Sequence, residues 1–190
     1  FYLLGAGVIG LLAGIPLILL SPYRKERFLT FLQMTEDPLG KSYHMRQILL
    51  GLGSGGIFGV GLGASRQKYS FLPEASTDSI FAVIAEELGL IGGIAIIVGF
   101  VYFVMRGLKI AADAPDTFGK TLAVGITIWI GGQSFLNIAS MVALVPLTGI
   151  PLPFISYGGS SLVMILAACG ILLNISRFSV SEISHGTIKK

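Results

Sequence analysis

The chain has 190 residues, of which 53% are hydrophobic and only 12% charged, with a mean hydropathy of +0.83. A soluble domain carries about 25% charged residues, so this composition excludes an ordinary water-soluble globule and indicates a polytopic membrane protein. The formal net charge of +3 arises from basic residues in loops and gives no nucleic-acid signal, and the single cysteine, Cys169, excludes a disulfide framework and any multi-cysteine metal site.

The first apolar run, Phe1–Leu20, is long enough to span a bilayer. No basic flank precedes it and no small-residue cleavage site follows, so it does not read as a signal peptide. A start without methionine reads as a piece of a longer protein. The loop Ser21–Gln47 follows, and its stretch Tyr23–Gln33 mixes basic and apolar residues as an interfacial helix does. Residues 48–63 are expected to form a short glycine-rich second span, or else a tilted, broken or re-entrant segment lined by protein or water. The third, fourth and fifth are expected near 79–105, 121–145 and 155–175. The chain therefore reads as one integral-membrane domain over residues 1–190, an all-α polytopic transmembrane helix bundle of about five spans.

Basic residues orient such a bundle, because cytoplasmic loops are rich in lysine and arginine. With five spans, eleven of the thirteen fall on one side: Arg24, Lys25, Arg27, Lys41, Arg46, Arg106, Lys109, Lys120, Arg177, Lys189 and Lys190. Only Arg66 and Lys68 fall on the other. The expectation is that loops Ala64–Asp78 and Pro146–Phe154 face outward and the C-terminus is cytoplasmic.

Several motifs carry chemistry or packing. Gly51–Gly63 reads GLGSGGIFGVGLG. Its formal G-x-G-x-x-G lacks a strand–turn–helix context, so a nucleotide site is not supported. Gly55, Gly59 and Gly63 instead recur at the four-residue spacing of close helix contacts in membranes. Asp78 falls at the expected start of the third span. Position alone fits either a helix N-cap or a general base facing the membrane surface. Glu86 and Glu87 sit deeper, and helix geometry prevents all three acids from sharing one cavity. They read as ion-paired or hydrogen-bonded structural residues. Gln133, Asn137 and Ser140 form a polar stripe that suits either interhelical hydrogen bonds or a hydrophilic path. In the run PLPFISYGGSS, Pro151–Ser161, two prolines stiffen the approach to the fifth span, while Gly158 and Gly159 permit close backbone approach. His44 and His185, both expected in cytoplasmic segments, show no ligand spacing, so no protein-built metal site is read.

Three stretches resemble the SEDS family (shape, elongation, division and sporulation) of bacterial membrane enzymes. SPYRKERFLTFL from Ser21, with DPLG at Asp37–Gly40, is similar to the FtsW branch. GSGGIFGVGLGASRQKYSFLPEASTDSIFAVIAEELG from Gly53 looks like that family's active-site segment, and PLPFISYGGSS completes the likeness. Pro73–Ala75 favours FtsW or its sporulation relative over RodA. Ser76 and Ser79 depart from the usual histidine and phenylalanine. The resemblance covers nearly all of Ser21–Ile175. It implies a ten-span fold of which this chain is the C-terminal half.

The resemblance implies a peptidoglycan glycosyltransferase that polymerises lipid II during septal wall synthesis in cell division. The work would take place at the outer face of the bacterial cytoplasmic membrane. Asp78 would be the catalytic base. Arg66, Lys68, Glu74, Gln133, Ser156, Gly158, Gly159 and Ser160 are the expected substrate-side residues, with the cations stabilising the leaving undecaprenyl diphosphate. No cofactor would be built by the protein, although a divalent cation, Mg or Mn, is compatible with the diphosphate. The polyprenyl tail would lie in a groove between spans. Implied partners are a class B penicillin-binding protein acting as transpeptidase, and divisome membrane proteins; nucleic acid is not among them. Two alternatives stand beside this reading: a lipid II flippase using the Gln133 stripe, and a non-catalytic scaffold for a transpeptidase, with this half inactive alone.

Overall fold

The structure is a computed structural model that describes residues 29, 31, 43–65 and 77–186, the last eight by backbone alone. The expected first span, and all of Tyr23–Gln33 but two residues, lie outside the described residues. Four helices and no strand occur among those described: α1 (Tyr43–Gly55), α2 (Ile80–Ala112), α3 (Thr117–Met141) and α4 (Gly159–Gly186). The helices α2 and α3, with Gly159–Phe178 of α4, are long and apolar enough to cross a membrane. The thirteen residues of α1 reach only about 20 Å, short of a ~30 Å hydrocarbon core.

The geometry of the bundle turns on a break in α2 at Gly89, where φ is 71° and ψ is −167°. Residues other than glycine are strained there. A straight helix would hold Phe81 and Gly93 about 18 Å apart. Instead, a Cβ built on Gly93 would lie 3.6 Å from the tip of the Phe81 ring and 4.0 Å from Ala85 Cβ. The first arm, residues 80–88, thus folds back along the second, residues 90–112. The second arm, about 35 Å long, is enough for one crossing.

The break removes two helical hydrogen bonds, from Leu90 N to Glu86 O and from Ile91 N to Glu87 O. The glycine-rich segment after α1 replaces both. Val60 N and Gly61 N donate to Glu86 O and Glu87 O at 3.0 and 3.1 Å. Leu90 N and Ile91 N donate to Gly56 O and Ile57 O at 2.9 and 3.4 Å. Buried backbone groups must be paired, above all in a membrane, so this segment completes the broken helix. The approach leaves no room for side chains. A Cβ on Gly59 would lie 2.1 Å from Glu87 O, and one on Gly89 would lie 2.4 Å from Gly59 N.

This arrangement corrects the expected second span. The helix stops at Gly55, and residues 56–63 pack against the α2 break rather than continuing across the membrane. The Gly55/Gly59/Gly63 spacing does mark close approach at its first two members, but Gly59 meets a helix break from within a loop. At its other end, α1 places His44 against Ser79, with Nε2 and Oγ 3.0 Å apart. The start of α1 therefore lies beside Asp78. His44 and Arg46 belong to the Asp78 end of the bundle, so the eleven-to-two count of basic residues does not hold as drawn. Arg24, Lys25, Arg27 and Lys41 lie outside the described residues.

The second arm of α2 packs antiparallel to α3 through small residues. A Cβ on Gly107 would meet Thr127 Oγ1 at 2.3 Å, and one on Gly131 would meet Val104 Cγ2 at 2.6 Å. Asp116 caps α3 by accepting from Gly119 N at 2.7 Å. Two apolar cores result. One gathers Ile48, Phe81, Val83, Met141 and Leu152 around the folded-back arm. The other joins Ala111, Ala123, Ile130, Ile165 and Leu172 of α2, α3 and α4. The expected spans 79–105, 121–145 and 155–175 are thus found as α2, α3 and α4 with shifted ends.

Gly89→Ala and Gly59→Ala should each destabilise the full-length protein by at least ~2 kcal/mol, through strain and backbone clash together. Gly99→Ala, where an added Cβ meets nothing within 4 Å, should change stability by less than ~1 kcal/mol. Denaturation curves in detergent micelles check the contrast.

Candidate functional site

Asp78 lies in a turn, residues 77–79, immediately before the folded-back arm. The N-cap of α2 is Ser79, whose side chain makes no capping bond because its hydroxyl faces His44. Nor does Asp78 cap the helix. Its carboxylate is half-buried, and among the described residues Oδ1 accepts only a long bond from Thr77 Oγ1 at 3.3 Å. Of the two roles that position allowed, capping is not the one the side chain performs. Asp78 also does not stand at the start of a crossing helix, since the crossing begins after Gly89.

The main chain of Asp78 is held from α3. Asn137 is buried, at 1% exposure, and its Nδ2 donates to Asp78 O at 2.8 Å and to Ile150 O at 2.7 Å. Its Oδ1 is buried without a partner. One turn along α3, Gln133 Nε2 donates to Pro151 O at 2.9 Å. The polar stripe is therefore neither a helix–helix contact nor an open path. It binds a loop, while Ser140 Oγ bonds back to Asn137 O within its own helix.

That loop, residues 142–158, re-enters the bundle from the end of α3. Ile150 is level with Asn137, Pro151 with Gln133, and Phe154 reaches Phe103, their ring centroids 5.8 Å apart. Phe103 neighbours Val104, which packs on Gly131, so the loop tip lies about 15 Å below the end of α3 at Met141. Phe154 takes φ 65°, a left-handed conformation that costs a side-chain-bearing residue about 1–2 kcal/mol. The turn survives because Ser156 ties it twice. Ser156 N donates to Leu152 O at 3.0 Å, and Leu152 N donates to Ser156 Oγ at 2.7 Å.

The remaining expected residues separate. Ser156 has its hydroxyl engaged in the turn. A Cβ on Gly158 would meet only Ser161 Cβ at 3.6 Å, and one on Gly159 would meet nothing within 4 Å, so neither is required for close backbone approach. Ser160 is exposed, and no hydrogen bond joins it to Asp78. Arg66, Lys68 and Glu74 lie outside the described residues. Glu86, 2% exposed, accepts from Ser54 Oγ at 3.4 Å and from Ser65 Oγ, as a structural hydrogen-bonded acid should. Glu87 keeps Oε1 buried and unpartnered among the described residues. No group of three or more His, Cys, Asp or Glu able to hold a metal occurs among the described residues. An apolar groove of about 650 Å³ runs between the second arm of α2 and α3, from Met105 to Leu144.

Single-sequence reading could see the stripe but not its partners. It missed Gly89, whose one signal is a lone glycine inside a helical pattern. It also missed His44, Ser54 and Ser65, whose partners lie 35, 32 and 21 residues away.

A model of the FtsW/RodA/SpoVE cell cycle protein family matches residues 1–181. The chain belongs to this family. Among FtsW/RodA/SpoVE relatives, it is 50% identical over 173 residues to the stage V sporulation protein E of Bacillus subtilis (strain 168), covering 91% of this chain and 47% of the relative. It is 47% identical over 175 residues to a probable peptidoglycan glycosyltransferase FtsW of Geobacter metallireducens (strain ATCC 53774 / DSM 7210 / GS-15), covering 92% and 47%. It is 41% identical over 177 residues to the peptidoglycan glycosyltransferase MrdB of Escherichia coli (strain K12), covering 91% and 48%. A chain from a solved structure, described as structural coordination of polymerization and crosslinking by a peptidoglycan synthase complex, aligns with a TM-score of 0.69 at 27% identity, covering 94% of this chain and 50% of that one. The chain thus spans about half the length of the curated relatives it matches, and it is a multi-pass membrane protein of this family.

Gly158→Ala and Gly159→Ala should leave the stability of the full-length protein within about 0.5 kcal/mol. Ser156→Ala should lower it by ~1 kcal/mol, because Leu152 N loses its acceptor. Micelle denaturation of the three variants checks this order.

Proposed function

We propose that the complete protein is a peptidoglycan glycosyltransferase that polymerises lipid II, with Asp78 as its general base. The observation that carries this reading is a half-buried carboxylate with no capping duty, on a turn anchored to α3 by a buried amide. Family membership supplies the reaction class. The acceptor's N-acetylglucosamine 4-hydroxyl attacks the anomeric carbon of the donor. The new C–O bond forms as the bond to undecaprenyl diphosphate breaks. Asp78 takes the hydroxyl proton, and the diphosphate leaves with the electron pair of the broken bond. Arg66 and Lys68 balance its charge, with a divalent cation accompanying the diphosphate. A prenyl chain is compatible with the apolar groove between α2 and α3.

Lipid II polymerisation requires Asp78 to face outward from the bacterial cytoplasmic membrane. Three crossings, α2 to α4, then put the end of α4 in the cytoplasm. A class B penicillin-binding protein is the fitting transpeptidase partner, because the solved relative coordinates polymerisation with crosslinking. Divisome membrane partners and a role in septal synthesis belong to the same proposal, which the likeness to FtsW supports. The flippase reading is less well supported. Asn137 spends both amide hydrogens and Gln133 one of its two on carbonyls of the Asp78 turn and the loop, so that face is covered by irregular backbone rather than lining an open path.

Asp78→Asn keeps size and polarity but cannot accept the proton. In the purified full-length protein it should lower lipid II polymerisation by ~100- to 10,000-fold with melting unchanged, and Glu74→Gln should be milder. Near-wild-type polymer from Asp78→Asn would remove the assignment, and a larger loss at Glu74 would transfer it there. For orientation, single cysteines at Thr148 and Ser184 in a Cys169→Ser background should label from opposite sides. An impermeant reagent added to whole spheroplasts should reach Thr148→Cys and spare Ser184→Cys, and the reverse pattern would invert the topology.

A further inference from the structure

We propose that Asn137 is a positioning residue for Asp78, setting the carboxylate's place by gripping its main chain and the re-entrant loop with one nitrogen. The inference rests on the reading of Asp78 as general base and names what holds it. An amide NH₂ has two hydrogens, and Asn137 spends one on Asp78 O at 2.8 Å and the other on Ile150 O at 2.7 Å. Both facing atoms are carbonyl oxygens, so only the nitrogen can be turned toward them. The side chain is 1% exposed and rises from α3 one turn before its end, so the grip comes from a rigid, buried post.

The turn at Asp78 needs such a post. No side-chain cap fixes it from α2, and among the described residues its carboxylate has only the long bond from Thr77. Other tethers, His44 with Ser79 and Ala82 N to Ser79 O at 3.1 Å, act one residue later. Asn137 alone among the described residues hydrogen-bonds the Asp78 backbone oxygen from another element. It also joins that oxygen to Ile150, at the mouth of the loop held by Gln133 and Ser156. The Asp78 turn and the loop therefore keep one relative placement.

The orphaned Oδ1 separates placement from stabilisation. A buried acceptor without a partner is costly, which offsets much of what two hydrogen bonds contribute. An apolar side chain of similar volume would remove that orphan but leave the Asp78 and Ile150 carbonyls without their donor, so it should lower melting moderately while the fold persists. It would release the carbonyl of Asp78, and a displacement near 1 Å at a reacting group costs about 100-fold in rate.

The test measures lipid II polymerisation by the purified full-length protein carrying Asn137→Leu or Asn137→Ala, alongside Asp78→Asn and the double variant Asp78→Asn/Asn137→Leu. Asn137→Leu keeps the site filled and guards against collapse of the fold. The expected result for both single Asn137 variants is a kcat about 10- to 100-fold lower, KM for lipid II within about threefold, and a lowered melting temperature with the fold retained. In the double variant, Asn137→Leu should add no further loss. Wild-type kcat, a rise in KM with kcat unchanged, or loss of fold in both single variants would each overturn the positioning role. Full additivity in the double variant would also overturn it. An Asp78→Asn protein that polymerises normally would defeat the general-base reading itself, whereas an inactive Asp78→Asn with an unimpaired Asn137→Leu would defeat only the positioning role.

Discussion

The backbone join between residues 56–61 and the break at Gly89 is the constraint on which the rest of the structure depends. Folding α2 back on itself brings Asp78 to α3, but it breaks the helical ladder inside an apolar bundle. Two carbonyls and two amides would then be stranded, and an unsatisfied backbone group in such a setting costs several kcal/mol. The loop after α1 meets all four with its own backbone. Glycine is required on both sides, because a Cβ at either Gly59 or Gly89 would overlap the opposing main chain. The glycine-rich run is therefore a structural complement to a distant helix, not a nucleotide loop.

Once the arm is folded back, α3 becomes the reference element for the candidate site. Its apolar face packs against the crossing arm of α2 and against α4. Its polar residues near the Asp78 end hold what is not helical: the turn at Asp78 and the loop at Ile150 and Pro151. Irregular backbone is tolerated within a membrane protein only where other protein groups satisfy it. Two amide side chains on one helix, four residues apart, satisfy the carbonyls of both segments. The strained Phe154 persists for a related reason, since its turn is closed twice by Ser156 and its ring lies against Phe103. Chemistry and architecture thus meet at Asp78. Its carboxylate is left nearly unengaged while its backbone is fixed.

The division between sequence and structure follows from the range of the forces involved. Composition and run length determined a helical membrane bundle, because transfer of apolar side chains is additive along the chain and needs no knowledge of partners. The crossings α2, α3 and α4 were legible for that reason. Motifs of the family, carried by PLPFISYGGSS and the segment around Asp78, were legible because they are contiguous. Residues 48–63 could be read as a span or as a broken segment, and sequence alone left both open, because they are apolar enough to cross but too glycine-rich to stay helical. Which partner completes their backbone is a tertiary matter. The count of basic residues changes with it at Arg46, since assigning a side by charge depends on every crossing being real. Asp78 as a chemical candidate came from sequence, but its release from capping and its hold by Asn137 came only from the fold. Those bonds join residues 59 positions apart, and no local periodicity encodes such a pairing. The tertiary structure decided them because Gly89 reverses the chain and turns a stripe on α3 into a set of anchors.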